Sequence, residues 1–317
     1  MPLMNLQNRV AIVTGAGRGM GRSHAMMLAS RGARVIVNDI RPAGAAEGPA
    51  DEVVREIVSR SGFAIADHHS VLGGASELVR HAIDAYGQLD IVVNNAGVLS
   101  GTAFADTPQQ DWQAVFDVHF RGTVDVTRAA WPHLVRSGNS RIINTASSGM
   151  LGNAGLSSYG AAKGAIFALT RSIAMEGKPL GIYANCIFPS AWTRMTLEIN
   201  DPAVRATLQR YFQPEHVSAF VVWLCHQDTK VSNEAFQVSG GRAGRLTMAM
   251  MPTVRVADST PEQWVQHQAE LLADAPLTAL SSTAQMFANE LVDADPAIRQ
   301  TMKSSGGGLD INQVTGK

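Results

Sequence analysis

The feature that most constrains this chain is an alternation that begins at residue 9: short β-branched runs, each followed by a longer segment of helical period. RVAIVTG leads into SHAMMLASRG, and ARVIVND into DEVVREIVSRSG. The pattern continues through DIVVNNAG, a long helical stretch at 110–138, RIINTAS, YGAAKGAIFALTRSIAMEG and IYANCIFP. A helix between two strands carries the chain back to the end from which it started, so successive strands run parallel and helices cover both faces. The expectation is therefore an α/β protein built on a doubly wound parallel sheet. Its 317 residues, 45% of them hydrophobic, suffice for one such domain with appendages.

The sheet is expected to close near FQVSGG, at 236–241, after a helix containing HVSAFVVWLCHQ, because no β-branched run of comparable strength follows. That divides the chain into a doubly wound domain at 1–241, a helical C-terminal extension at 242–303 packed on the core or at a subunit interface, and a flexible Gly- and Ser-rich tail at 304–317. Within the extension, TPEQWVQHQAELLADA carries a helix start, with Thr260 as N-cap, Pro261 at the first helical position and Glu262 after it.

Charge excludes one class of partner: a formal net charge of -1 offers no broad basic field, which nucleic-acid binding requires. The apolar runs fall short of the roughly 18 residues that a membrane span needs. MPLMNLQNRVAIVTG has neither a basic leader nor a cleavage signal, so a soluble, cytoplasmic protein is expected, with no membrane partner. Cys186 and Cys225 each stand in an apolar run, as buried free thiols do. His68 and His69 have no further ligand at metal spacing, so no metal is expected and both read as ordinary loop residues.

The first strand runs directly into Thr14-Gly15-Ala16-Gly17-Arg18-Gly19-Met20-Gly21, and a helix follows at once. Strand, glycine turn and helix make a phosphate cradle: Gly15 takes the tight turn, Gly19 lets backbone approach a pyrophosphate, and Gly21 permits close packing of the helix on the sheet. The helix N-terminus adds unpaired N–H groups and the positive end of its dipole. Gly17, Arg18 and Met20 complete the lining of what reads as the dinucleotide-binding turn of a Rossmann fold. Asp39, at the end of the second strand, suits the hydroxyls of an adenosine ribose and repels a 2′-phosphate, which favours NAD. Arg18 and Arg41 pull the other way, since a guanidinium there accommodates the extra phosphate of NADP. The alternative for Asp39 is a cap on the loop RPAGAAEGPA.

On the helix after RIINTAS, Tyr159 and Lys163 stand four residues apart and project from one face. A phenol with a pKa of about 10 is a poor base at neutral pH, and a neighbouring ammonium favours its ionised form. Ser147 closes the preceding strand, with Ser148 as its rival. Tyr159 thus reads as a general acid/base, Lys163 as its activator and Ser147 as the hydroxyl that holds a reacting oxygen.

TGAGRGMG, Asn94-Asn95-Ala96-Gly97, Ser147, Tyr159-Gly-Ala-Ala-Lys163 and Pro189, in that order within residues 5–241, resemble the short-chain dehydrogenase/reductase family. The resemblance implies hydride transfer between NAD(H) and a small-molecule secondary alcohol or ketone, with Ser147, Tyr159 and Lys163 catalytic. Lys163 and Tyr159 would also touch the cofactor, Lys163 at the nicotinamide ribose, and Asn95, Ala96 and Gly97 would line its site. A homodimer or homotetramer is implied, paired through the helices bearing Asp117 to Ala130 and Tyr159 to Met175. Three positions depart from the family. His119 stands where an asparagine is usual, and either relays a proton or is a satisfied core residue. Pro189 is followed by Ser190 instead of glycine, with backbone there still expected to meet the nicotinamide carboxamide. The loop after the third strand reads His69-Ser70-Val71 in place of Asp-Val, which alters an adenine contact.

VNDI, VHFRGTVDVTRAAWPHL, GNAGLSSYGAAK, SAWTRMT, VVWLCH and the tail helix at TPEQW look closest to the dehydrogenase portion of peroxisomal multifunctional enzymes of the second type. That branch implies a (3R)-hydroxyacyl-CoA or a 17β-hydroxysteroid as substrate. An acyl-CoA calls for cations at the pocket mouth, for which Arg242, Arg245 and Arg255 are candidates. A steroid calls for an apolar pocket, to which Met150, Leu151, Trp192 and Met195 can contribute. The alternative to both is an NAD(H)-binding sensor that turns nothing over. Thr315-Gly316-Lys317 is no peroxisomal address, which again points to a cytoplasmic enzyme.

Overall fold

The computed structural model describes residues 4–193, 201–256 and 259–294. The chain divides into two units, one ending at Arg245 and the other beginning at Leu246. It starts with β1 (Val10–Thr14), α1 (Gly19–Ser30), β2 (Arg34–Asn38), α2 (Pro49–Ser59), β3 (Phe63–Asp67), α3 (Ala75–Tyr86) and β4 (Ile91–Asn94). It continues with α4 (Gln109–Phe116), α5 (Gly122–Ser137), β5 (Ser140–Thr145), α6 (Ser157–Gly177), β6 (Ile182–Ser190), α7 (Pro202–Tyr211), α8 (Pro214–Cys225), β7 (Ala235–Ser239) and β8 (Arg242–Leu246). The strands form one sheet in the order β3-β2-β1-β4-β5-β6-β7-β8, and neighbouring strands from β3 across to β7 pair in parallel. This is the doubly wound α/β fold that the alternation implies. The order reverses between β1 and β4, so the chains leaving them turn to opposite faces and open a crevice at the carboxyl ends.

Side-chain alternation splits β1 between two cores. Ala11 and Val13 pack with Leu28, Val53, Val217 and Val221, from α1, α2 and α8. Val10 and Ile12 pack with Leu78, Val79, Val126 and Leu134, from α3 and α5. Each buried aliphatic side chain contributes on the order of 1.5–3 kcal/mol. The strand is therefore held on both faces, and the turn that follows it departs from a fixed point. Cys186 in β6 and Cys225 in α8 are buried free thiols, and burial pushes each up to about 12. Among the described residues, no helix is long and apolar enough to cross a membrane.

Two elements differ from the sequence pattern. The helical stretch at 110–138 is interrupted by a π turn at Asp117–Arg121, between α4 and α5. The sheet also does not close at Gly241, because β8 adds an edge strand. The two-residue connection Gly240-Gly241 is too short for a crossover helix, so the chain doubles back beside β7. Arg242 to Arg245 are exposed, which is why no apolar run announces the strand.

The second unit is not purely helical. It contains β9 (Met248–Met250), α9 (Pro261–Gln266), α10 (Gln268–Leu271), β10 (Thr278–Leu280) and α11 (Thr283–Ala294), with β9 and β10 paired antiparallel. Thr260 caps α9 as its sequence indicates, accepting the Gln263 N–H at 3.3 Å, but the helix expected through 275 breaks at His267. The expected tail at 304–317 lies outside the described residues.

Candidate active site

The crevice beside β1 is a groove of about 450 Å³. At its floor, Gly15 leaves β1 with a φ of 61° and Gly19 opens α1 with a φ of 55°, a region open to glycine. A Cβ on Gly15 would fall 2.8 Å from the Ala96 Cα, and one on Gly21 would fall 2.2 Å from the Gly15 carbonyl oxygen. Gly21 thus lets α1 close on the residues that leave the sheet, the Gly15 carbonyl after β1 and the Asn95 amide after β4. Arg18 is the N-cap of α1 without a side-chain cap bond, and no acid stands in the first turn. The first-turn N–H groups and the positive dipole end are therefore left to the groove.

Long-range hydrogen bonds tie β4 to this turn. The Thr14 hydroxyl accepts the N–H groups of Asn95 and Ala96, both at 3.0 Å, while the Asn95 amide donates to the carbonyls of Thr14 and Gly15 at 3.1 and 3.2 Å. Asp39 accepts the Gly17 N–H at 2.9 Å, which sets its carboxylate beside the turn. Gly15, Arg18, Gly19, Met20 and Asp39 line the groove, as do Asn95, Ala96 and Gly97. Gly17 packs against Asp39 and Pro49 instead of lining it. Arg41, the second candidate for a 2′-phosphate, is not in the lining, and its charge bears on Asp51.

The reacting end comes from β5 and α6. Ser147 caps a short 3-10 turn at Ser148–Leu151, accepting the Gly149 N–H at 3.1 Å, and hydrogen-bonds Tyr159. Its rival Ser148 lies inside that turn. On α6, Lys163 donates from Nζ to the Thr145 carbonyl at 2.5 Å and sits 5.6 Å from the centre of the Tyr159 ring. Burial pushes the Lys163 ammonium down to about 7. Burial also raises the Tyr159 phenol, against the opposing pull of Ser147. The ammonium faces the ring and a carbonyl, and Ser147 is the partner that favours the phenolate.

His119 sits in the π turn, 2% exposed, with its ring edge-on to Tyr159 at 5.3 Å between centroids. Both polar groups of Val98 approach Nε2, the carbonyl oxygen at 2.7 Å and the N–H at 3.2 Å. The shorter contact assigns the proton to Nε2, leaving Nδ1 as a buried acceptor without a partner. Burial, then the Lys163 charge, depress its pKa to about 3 against the Val98 hydrogen bond. A ring this hard to protonate cannot carry a proton as imidazolium near neutral pH.

Some expectations fall away from the groove. Pro189 lies within β6 beside Val238 and does not line it, whereas Thr193 does. Arg242 and Arg245 lie on the edge strand β8, with Arg245 paired to Glu234, and neither lines the groove. Leu151 is 74% exposed, and Met195 lies outside the described residues. The loop histidines are not idle: His68 lies between the Asp39 carbonyl and Asp51, and His69 binds Asp67. Sequence reasoning missed Thr14 and Thr145, whose only signal was their place at the last residue of a strand that enters the crevice. Thr145 lines the groove, and its buried Oγ1 has no protein partner. A glycine turn, an uncapped helix N-terminus, the Asp39 carboxylate beside them and this unpaired hydroxyl together fit a nicotinamide dinucleotide.

Known proteins bear this out. The chain is 37% identical over 299 residues to peroxisomal multifunctional enzyme type 2 of Mus musculus, a match covering 92% of this chain and 40% of that protein. It is 34% identical over 244 residues to a 3-oxoacyl-[acyl-carrier-protein] reductase of Synechocystis, covering 74% of this chain and 97% of the reductase. The full-length peroxisomal multifunctional enzyme type 2 of Drosophila melanogaster superposes with a TM-score of 0.78 at 30% identity, over 96% of this chain and 51% of that one. Since the short chain dehydrogenase family model matches residues 9–203 in addition, this chain belongs to the short-chain dehydrogenase/reductase family of oxidoreductases.

Proposed function

We propose that this protein interconverts secondary alcohols and ketones with NAD(H), its substrate class being 3-hydroxyacyl thioesters such as 3-hydroxyacyl-CoA. The observation that carries this reading is the convergence of Ser147, Tyr159 and Lys163 beside a groove that also holds an uncapped helix N-terminus and Asp39. The nicotinamide, when bound, supplies or accepts the hydride. Tyr159 passes a proton to or from the substrate oxygen, which the Ser147 hydroxyl holds in place. Lys163, anchored by the Thr145 carbonyl, is placed to hold the nicotinamide ribose. Asp39 favours NAD over NADP, because a 2′-phosphate would meet a carboxylate while Arg41 stands outside the lining. The thioester class is supported by the name of the Synechocystis relative and by the likeness to the multifunctional enzymes.

A homo-oligomer and a cytoplasmic location belong to the same proposal. In support of the first, Phe104, in a 3-10 turn at 104–106, and Trp112, Phe116 and Phe120, on α4 and the π turn, form an aromatic row with ring centres 6.1, 6.4 and 6.2 Å apart. The second unit has no buried residue among those described, so it needs another surface to cover its apolar side chains. A subunit interface is the proposed one.

The test is to mix pure protein with NAD or NADP and 3-hydroxyacyl-CoA esters of graded length, 17β-hydroxysteroids and simple secondary alcohols, following nicotinamide absorbance. Turnover of the esters with NAD is the expected result. Turnover of steroids alone moves the substrate class, and tight cofactor binding without turnover of anything identifies a sensor.

A further inference from the structure

The loop at 40–48 leaves β2 just after Asp39 and ends at Gly48, the N-cap of α2. Its two ends meet, since a Cβ on Gly48 would fall 3.3 Å from the Arg41 Cα. Both ends also abut the glycine turn. The Asp39 carboxylate accepts the Gly17 N–H at 2.9 Å, and a Cβ on Gly17 would fall 2.5 Å from the Pro49 Cβ at the start of α2. Asp39 and the N-terminus of α2 together thus form one wall of that turn.

His68, just past β3, bridges the two ends. Its Nδ1 lies 3.1 Å from the Asp39 carbonyl oxygen. Its Nε2 lies 3.1 Å from the Asp51 Oδ2, the oxygen that also accepts the Gly48 N–H at 2.6 Å. Both neighbours are acceptors. A carbonyl oxygen never donates, and Asp51 is ionised: burial would raise it, but the Gly48 N–H and His68 hold it below the usual carboxylate range. A neutral imidazole has one N–H and one lone pair, so one of the two contacts then sets a lone pair against an oxygen. Only the imidazolium donates to both. The charged groups on the elements around it are Asp51 on α2, Asp39 and Arg41 after β2, and Asp67 and His69 where β3 ends. Of these, Asp67 is turned to His69 and His81, and the charge of Arg41 bears on Asp51.

We propose that His68 is a positioning residue for the cofactor: as imidazolium it closes the base of the 40–48 loop and holds Asp39 and Pro49 around Gly17, and as neutral imidazole it lets that wall loosen. The assignment rests on the dinucleotide reading of the groove. Because the closed loop keeps the extra proton, affinity for the adenosine half is full where His68 is protonated and is lost as the pH rises and the proton leaves. One hydrogen bond forgone amounts to about fivefold in affinity.

The experiment is calorimetric binding of ADP-ribose, the dinucleotide without its nicotinamide, from about pH 5.5 to about pH 8.5, the range over which imidazole changes charge. Wild type should weaken over that range by about fivefold more than His68→Gln, whose amide does not titrate. Lys163, at about 7, and His69 are common to both proteins, so the reading is the difference between the two profiles. Asp51→Asn gives neutral His68 an NH2 from which to accept, and should likewise remove the slope. A purely structural His68 would shift affinity equally at every pH. Parallel profiles for wild type and His68→Gln therefore overturn the assignment and leave the dinucleotide reading standing, as does a wild type that gains on His68→Gln with rising pH. No binding of ADP-ribose or NAD by wild type at any pH overturns both. Should His68→Gln fail to fold, Asp51→Asn decides, and a slope equal to that of wild type overturns the assignment.

Discussion

The imidazole of His119 fills the place that a side chain at position 97 would need: a Cβ on Gly97 would fall 2.2 Å from the His119 Cε1. Gly97→Ala should therefore cost about 1–3 kcal/mol by overpacking, measured by chemical denaturation. His119→Ala should recover most of that loss in the double variant, since the two positions compete for one volume. Additive costs would mean that the ring yields in some other direction.

Tyr159→Phe should abolish hydride transfer and leave NAD binding nearly intact, because it removes the oxygen that exchanges the proton and little else. Single-turnover reduction of NAD, beside a cofactor titration, separates the two effects. Retention of more than about a tenth of the wild-type rate would remove Tyr159 from the role. Ser147→Ala should lose roughly 10²-fold in rate, and Lys163→Ala should damage both binding and rate.

Lys163 has a folded-state value of about 7 against an ordinary 10.5. Between those values the unfolded chain holds a proton that the folded chain does not, so stability rises with pH across that window, and below pH 7 the burial penalty is felt in full. Lys163→Met should thus stabilise the free protein at pH 7, by up to about 5 kcal/mol at 1.36 kcal/mol per unit, and the gain should shrink toward pH 10.5. His24, buried against Ser218 and lowered to about 4, acts in an acid window, as does His119 at about 3. Both refuse protons that the unfolded chain takes, so stability should fall as the pH drops from 6.5 toward 4. Denaturation midpoints across pH check both slopes, and a flat response in His24→Gln and wild type alike would contradict the acid one.

NAD should bind at least about tenfold more tightly than NADP. Asp39→Ala should narrow that gap, and it should also weaken NAD binding, since the Gly17 N–H loses its acceptor. Calorimetry with both cofactors measures this. A preference for NADP in the wild type would show that Arg18 outweighs the carboxylate.

Light scattering at micromolar concentration should give a multiple of 33.7 kDa. Phe116→Glu, in the middle of the aromatic row, should shift the protein toward the monomer by burying a charge in an apolar contact. A wild-type monomer would leave that row without the partner proposed for it.

Local order was legible in the sequence, because strand alternation and helical period are written within a few residues of each other. RVAIVTG followed by a glycine turn could only be β1 entering α1, and the spacing of Tyr159 and Lys163 placed them one turn apart on α6 before any contact was known. The doubly wound sheet followed from the same alternation. The tertiary structure decided whatever depends on partners far along the chain. Gly97 has no room for a side chain beside His119, Thr14 matters because Asn95 and Ala96 turn back to it, and His69 and His81 meet Asp67 only where β3 and α3 come together. The same holds for electrostatics. Sequence spacing brought an ammonium near a phenol, but burial and the direction of the Lys163 side chain, toward the Thr145 carbonyl, decided that the ammonium itself is a weakened charge. A pattern in sequence sets which residues share a face, whereas desolvation and hydrogen bonding depend on every atom that closes around them.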